Sequence, residues 1–185
     1  MKRWMGRVLL VVCGCAVEAQ AQVAPYLMFS ANHYSGLGVG SGTASDRSGG
    51  MTALGATFGI YDDMVKMGPA RLGPDVRGII ANSSNSTPYG NKVAAGLVGV
   101  RLDGSGIPAF PVNPYFQAEI GVAGTNGGNS YNKSASFAYQ FQFGGDITIF
   151  PHVAARLEYG AGQLVNTGNT NHTLQTFGAG IVVRL

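Results

Sequence analysis

Residues 137–151 read FAYQFQFGGDITIFP, and their chemistry changes at nearly every step. Odd positions carry Phe137, Tyr139, Phe141, Phe143, Ile147 and Ile149, with Gly145 as the gap. Even positions carry Gln140, Gln142, Gly144, Asp146 and Thr148. A period of two is that of a β-strand with two unlike faces. In a water-soluble sheet the aromatic face would be the core. In a transmembrane β-barrel the assignment reverses, so that the aromatics meet lipid and Gln and Asp meet the interior. Deciding between these settles compartment and much of the function.

The amino terminus favours export. MKRWMGRVLLVVCGCAVEAQAQ places Lys2, Arg3 and Arg7 before an apolar run from Val8 to Val17, and closes on Ala19-Gln20-Ala21. That is the layout of a cleavable signal peptide. The run is too short for a spanning helix, which needs about 20 residues. The expected division is a signal peptide at 1–21 and one domain at 22–185. An alternative makes Cys15 an acylated lipoprotein residue. Both cysteines, Cys13 and Cys15, lie in the leader, so the exported part has no disulfide chemistry. The whole chain is +3. Lys2, Arg3, Arg7 and Glu18 contribute +2 of this, leaving +1 for the exported part. With no basic run, a nucleic-acid partner is not expected.

Eight strands are expected, at about 24–34, 50–61, 70–81, 92–102, 113–123, 136–149, 153–164 and 173–185. Most match the roughly 9–11 residues that cross a bilayer at a tilt. Their connections alternate in kind. LGVGSGTASDRSGG, NSSNSTPYGN, GTNGGNSYNKSA and VNTGNTNH are polar and long; DDMVKMGP, DGSGIPAFPV and FPHV read as turns. In an up-and-down barrel the polar four fall at one end and the turns at the other, with both termini.

Face by face, charges avoid the apolar side. Phe177, Ala179, Ile181, Val183 and Leu185 oppose Arg184. Leu157 and Tyr159 oppose Arg156 and Glu158, while Leu72, Val76 and Ile80 oppose Arg71, Asp75 and Arg77. A lipocalin-like soluble barrel would have to fit Phe116, Phe137, Tyr139, Phe141 and Phe143 inside, where eight strands leave little room. Turned outward they are easily placed. The expected fold is therefore all-β, an eight-stranded antiparallel up-and-down transmembrane β-barrel. Tyr26, Tyr61, Tyr115, Phe150 and Tyr159 are expected at the membrane interfaces. The expected interior charge set is Arg71, Asp75, Arg77, Arg101, Glu119, Asp146, Arg156, Glu158 and Arg184, pairing as a structural plug because unpaired buried charge is costly. A solute path is the alternative reading. Asp146 and Arg156 lie about equally far from the Pro151 turn, which predicts a cross-strand pair.

The tail FGGDITIFPHVAARLEYG…TFGAGIVVRL resembles the small eight-stranded outer-membrane barrels, the group that includes OmpA-type and OmpX/Ail-type proteins. The likeness is strongest over 136–185 and rests on pattern alone before that. It implies a bacterial outer-membrane location and a monomer. Outer-membrane lipid, lipopolysaccharide and the barrel assembly machinery are the implied partners, with an unspecified surface ligand. Gly180, Val183 and Leu185 match the spacing of the family's carboxy-terminal assembly signal, although the last residue is Leu rather than Phe.

An enzyme reading rests on His33 and Ser35 in NHYSG, which resemble the His-x-Ser pair of the lipid A deacylases. A serine nucleophile needs a base in reach and a carboxylate to orient it. Gly36 stands where that family has Asn, and no carboxylate is placed to complete the set. His33, His152 and His172 are scattered and do not make a metal site, and GLGVGSG (36–42) lacks nucleotide-loop spacing. No catalytic, metal or cofactor residues are assigned. The expected function is non-enzymatic, an envelope-structural or surface-interaction barrel acting through its polar loops.

Overall fold

The computed structural model describes residues 23–35, 51–83, 91–104, 112–126, 133–165 and 171–185. The leader, with Cys15 and the Ala21 cleavage position, lies outside them, as does most of each polar connection. The described residues form nine strands: β1 (Val23–Tyr34), β2 (Met51–Asp62), β3 (Val65–Met67), β4 (Ala70–Ser83), β5 (Asn91–Asp103), β6 (Val112–Asn126), β7 (Lys133–Phe150), β8 (Val153–Val165) and β9 (Asn171–Val183). Eight of them form an antiparallel barrel. Sequential neighbours pair, β1 pairs with β9, and β2 pairs with β4 to complete the circuit. β3 hangs from the start of β4 and is an element the periodicity does not predict, because three residues carry no readable alternation.

Following directly opposed residues around the wall from Arg71 leads through Asp103, Tyr115, Gly144, Glu158, Gly178, Ser30 and Gly55 and returns to β4 at Ala81. The circuit closes ten residues further along the same strand. With a rise of about 3.4 Å per residue and strands about 4.8 Å apart, that stagger sets a tilt of roughly 40°. The barrel is thus narrow and strongly coiled, and several inward positions can only be glycine. A Cβ on Gly180 would lie 2.1 Å from the Leu27 carbonyl oxygen across the β1–β9 seam, and one on Gly99 would lie 2.0 Å from that of Ala118.

Facing follows the membrane assignment. Leu27, Phe29, Phe58, Val76, Val98, Ile120, Phe141, Phe143, Leu157 and Phe177 are exposed on the outer wall. On the opening stretch, Phe141 is 50% exposed and Gln142 is 0%. Outward residues of β4 stay apolar from Leu72 to Ile80, with Asn82 above. The turns of a hydrophobic wall such as this one need about 25 Å of apolar height to match a bilayer. The ten residue steps of β4 from Ala70 to Ile80, at this rise and tilt, supply roughly 26 Å. The strand ends adjoining the four polar connections lie together at one end of the barrel. Val23, Leu185, the turns at 63–69 and 151–152, and the adjoining strand ends at Asp103 and Val112 lie at the other.

Candidate functional site: a charged plug beneath an apolar cap

The lumen is filled in layers. Nearest the polar-loop end, Tyr34, Ala53, Ile79, Ala81, Val93, Leu97, Ala123, Ala138, Leu164 and Leu174 form one buried apolar cluster. Beneath it, on one side, runs a chain of neutral hydrogen bonds. Gln140 donates to Thr176 (2.9 Å), Thr176 to Asn32 (3.0 Å), Asn32 to Ser30 (3.2 Å) and Thr57 to Ser30 (3.1 Å). This belt ties β7, β9, β1 and β2 together.

The charged layer occupies the half nearer the termini. Arg156 donates twice to Asp146, from Nε at 2.7 Å and from a terminal nitrogen at 2.9 Å. The two residues are direct partners in the β7–β8 register. Arg101 also donates to Asp146 at 3.0 Å and to Asp103 at 2.8 Å. Arg77 grips Glu158 with both terminal nitrogens (2.5 and 2.7 Å), and its Nε lies 3.4 Å from Glu119. A bidentate guanidinium fork fixes geometry as well as charge.

Among the described residues, three arginines and five carboxylates are buried here: Arg77, Arg101 and Arg156 with Asp75, Asp103, Glu119, Asp146 and Glu158. Neutral donors add further hydrogen bonds to these carboxylates. Tyr26 donates to Asp75 (2.8 Å) and Tyr115 to Glu158 (2.6 Å), while Gln117 (3.0 Å) and Gln142 (2.7 Å) both donate to Glu119. The tyrosine rings serve a second purpose. The Arg101 guanidinium sits 3.6 Å from the Tyr115 centroid and 4.1 Å from that of Tyr61, and Arg156 is within 4.6–5.1 Å of Tyr26, Tyr61 and Tyr115. Stacked, desolvated cations gain electrostatically from these ring faces.

Three differences from the sequence reading stand out. Tyr26, Tyr61 and Tyr115 are buried in the lumen rather than placed at the membrane interfaces; Phe150 and Tyr159 are exposed on the outside. Strand parity carries the signal, since Tyr26 alternates in step with Asn32 and Tyr115 with Gln117 and Glu119. Arg71 and Arg184 stand at the rim, with side chains 30% and 25% exposed, instead of inside the plug. Arg71 lies 3.7 Å from Asp63, and Arg184 lies 3.7 Å from Asp146. Asp103 joins the plug although the expected set omits it; it too shares parity with Arg101.

Gly180 is at the β1–β9 seam, Val183 ends β9, and the exposed Leu185 donates its amide to the Val23 carbonyl (3.1 Å). His33 and Ser35 lie at the polar-loop end, on the exposed side. The His33 Nδ1 is 3.1 Å from the Thr52 hydroxyl, and the Ser35 hydroxyl accepts the Thr173 amide (3.0 Å). Their hydrogen bonds tie them to neighbouring strands rather than to each other. Among the described residues, no group of three His, Cys, Asp or Glu side chains is arranged to hold a metal.

Neither a protein-family model nor a curated protein sequence matches the chain. Solved structures do. Neisserial surface protein A superposes with a TM-score of 0.62 at 16% identity, over 88% of this chain and 99% of that one. Ail of Yersinia pestis, in complex with the heparin analogue sucrose octasulfate, gives 0.53 at 10%, over 89% and 99%. The outer membrane enzyme PagL gives 0.52 at 12%, over 85% and 99%. An apolar outer wall of bilayer height, a polar packed lumen and these likenesses agree: the chain has the fold of the small eight-stranded outer-membrane β-barrels.

Proposed function

We propose that this chain is a non-enzymatic, non-conducting barrel that anchors its four polar loops at the outer-membrane surface, where they contact lipopolysaccharide or a surface ligand. The filled lumen carries the reading. A solute would have to part the Arg77–Glu158 fork and the Asp146 cluster, then cross the apolar cap of Ile79, Val93, Leu97, Leu164 and Leu174. Paired charge beneath an apolar seal suits a rigid anchor, and a rigid anchor suits binding by loops. Planar-bilayer recording of the reconstituted protein tests the plug, with no steady conductance expected; a stable open level would overturn it. Incubation with lipid A, with Ser35→Ala as control, tests the non-enzymatic assignment. Loss of acyl chains with the parent protein but not with the variant would replace it with hydrolysis.

A further inference from the structure

Asp75 of β4 and Glu119 of β6 stand on either side of Gly99, each directly opposite that glycine in its own strand pair. Both carboxyl groups are buried in the lumen. With no side chain between them, they come within hydrogen-bonding reach of each other over Gly99. Arg101 follows two residues later on β5, so the pair sits above the Asp146 cluster, toward the polar-loop end.

The surroundings hold too little positive charge for two anions. Arg77 gives both terminal nitrogens to Glu158, and its Nε lies 3.0 Å from the Tyr26 hydroxyl and 3.4 Å from Glu119. Arg101 and Arg156 form their ion pairs with Asp103 and Asp146 in the layer beneath. Tyr61, opposite Asp75 on β2, turns its hydroxyl to Asp146, and Tyr115 of β6 donates to Glu158. Gln140 and Gln142 of β7 are neutral. Three carboxylates, Asp75, Glu119 and Glu158, therefore share one guanidinium. Two carboxylates in one dehydrated site do not both ionise, and a proton bound there belongs to the pair.

The hydrogen bonds locate that proton. Glu119 accepts one amide on each oxygen, from Gln117 (3.0 Å) and Gln142 (2.7 Å). Asp75 Oδ1 accepts from Tyr26 (2.8 Å). Among the described residues, nothing donates to the buried Asp75 Oδ2. A proton between this oxygen and Glu119 turns two facing acceptors into an O–H···O bond.

We propose that Asp75 and Glu119 hold one proton between them at neutral pH, and that this shared proton latches β4 to β6 across Gly99. Its release at alkaline pH leaves two facing carboxylates and loosens this level of the plug, while the Asp146 cluster beneath stays paired. In the unfolded chain both carboxyls are ionised above about pH 5. The folded barrel then binds one proton more than the unfolded chain. Stability therefore falls as pH rises, by about tenfold in the folding constant per pH unit, until the pair releases its proton.

Infrared spectroscopy in micelles of an ester-free detergent, where no lipid carbonyl overlaps, tests the proposal after a heat-modifiability gel confirms folding of each variant. At neutral pH the parent should show a protonated-carboxyl C=O band that fades as pH rises. Asp75→Asn and Glu119→Gln should each remove it, the amide donating in place of the shared O–H. In urea unfolding, the parent's folding constant should fall about tenfold per pH unit relative to that of Asp75→Asn, from neutral pH upward. Absence of the band in the parent assigns Asp75 Oδ2 to water or a cation and overturns the proposal. A band that survives both substitutions places the proton elsewhere and overturns it as well. A band removed by one substitution alone overturns the sharing, and parallel pH dependences of parent and Asp75→Asn overturn the latch.

Discussion

Asp146 is the acceptor on which the lower plug converges, so the two halves of its pair with Arg156 are not equivalent. Replacing Arg156 by Leu removes two charge-assisted hydrogen bonds, but Asp146 keeps the Arg101 guanidinium at 3.0 Å. The cost should fall near the lower end of the usual range for breaking a buried pair, about 3 kcal/mol. Replacing Asp146 by Leu leaves Arg156 without a carboxylate partner, only the tyrosine rings beside it, and leaves Arg101 with Asp103 as its one carboxylate partner. That cost should approach the upper end, about 5 kcal/mol. In the double variant no charge is stranded, and the two losses should not add. The expected total is close to that of Asp146→Leu alone, with a coupling energy above about 1.5 kcal/mol. The assay is urea unfolding of the vesicle-reconstituted barrel. It is followed by circular dichroism and heat-modifiability, because residues 22–185 contain no tryptophan. Additive losses, or a larger penalty for Arg156→Leu than for Asp146→Leu, would refute this account of the cluster.

Phe141→Arg, on the lipid face, should destabilise by roughly 2–4 kcal/mol. Gln142→Arg, which brings a cation to the side of Glu119, should cost less; equal unfolding penalties would contradict the facing. Gly180→Ala drives a Cβ into the Leu27 carbonyl at the closing seam, and overpacking of this kind costs about 1–3 kcal/mol. Folding yield and unfolding midpoint should both drop, and an unchanged midpoint would show that the seam can yield. Burial, with Asp103 nearby, raises the Asp63 carboxyl above its ordinary value, against the opposing pull of Arg101 and Arg71. A raised carboxyl binds its proton more tightly in the folded state. Its contribution is therefore full below the unfolded value near 4 and fades as pH rises through the folded one. Asp63→Asn should flatten that part of the stability–pH curve above pH 4 relative to the parent, measured as the difference between the two proteins.

Alternation along each strand determines which residues share a face, and with strand length it dictates a membrane-spanning barrel. FAYQFQFGGDITIFP already separates Phe141 from Gln142, and counting from Pro151 already sets Asp146 opposite Arg156. Parity is local, because successive side chains of an extended chain must point to opposite sides. Partners on distant strands are another matter. Arg77 meets Glu158 only because the sheet closes with a stagger of ten residues, a property of the whole circuit that no strand encodes separately. The same closure draws Tyr26, Tyr61 and Tyr115 around the arginines. A tyrosine suits a membrane interface or a buried cation equally well by composition, and only its position in the closed wall decides between them. Rim and lumen are likewise distinguished by height on a tilted strand. Arg71 and Arg184 carry the same charge and parity as the plug arginines, yet the tilt leaves them at the partly exposed edge.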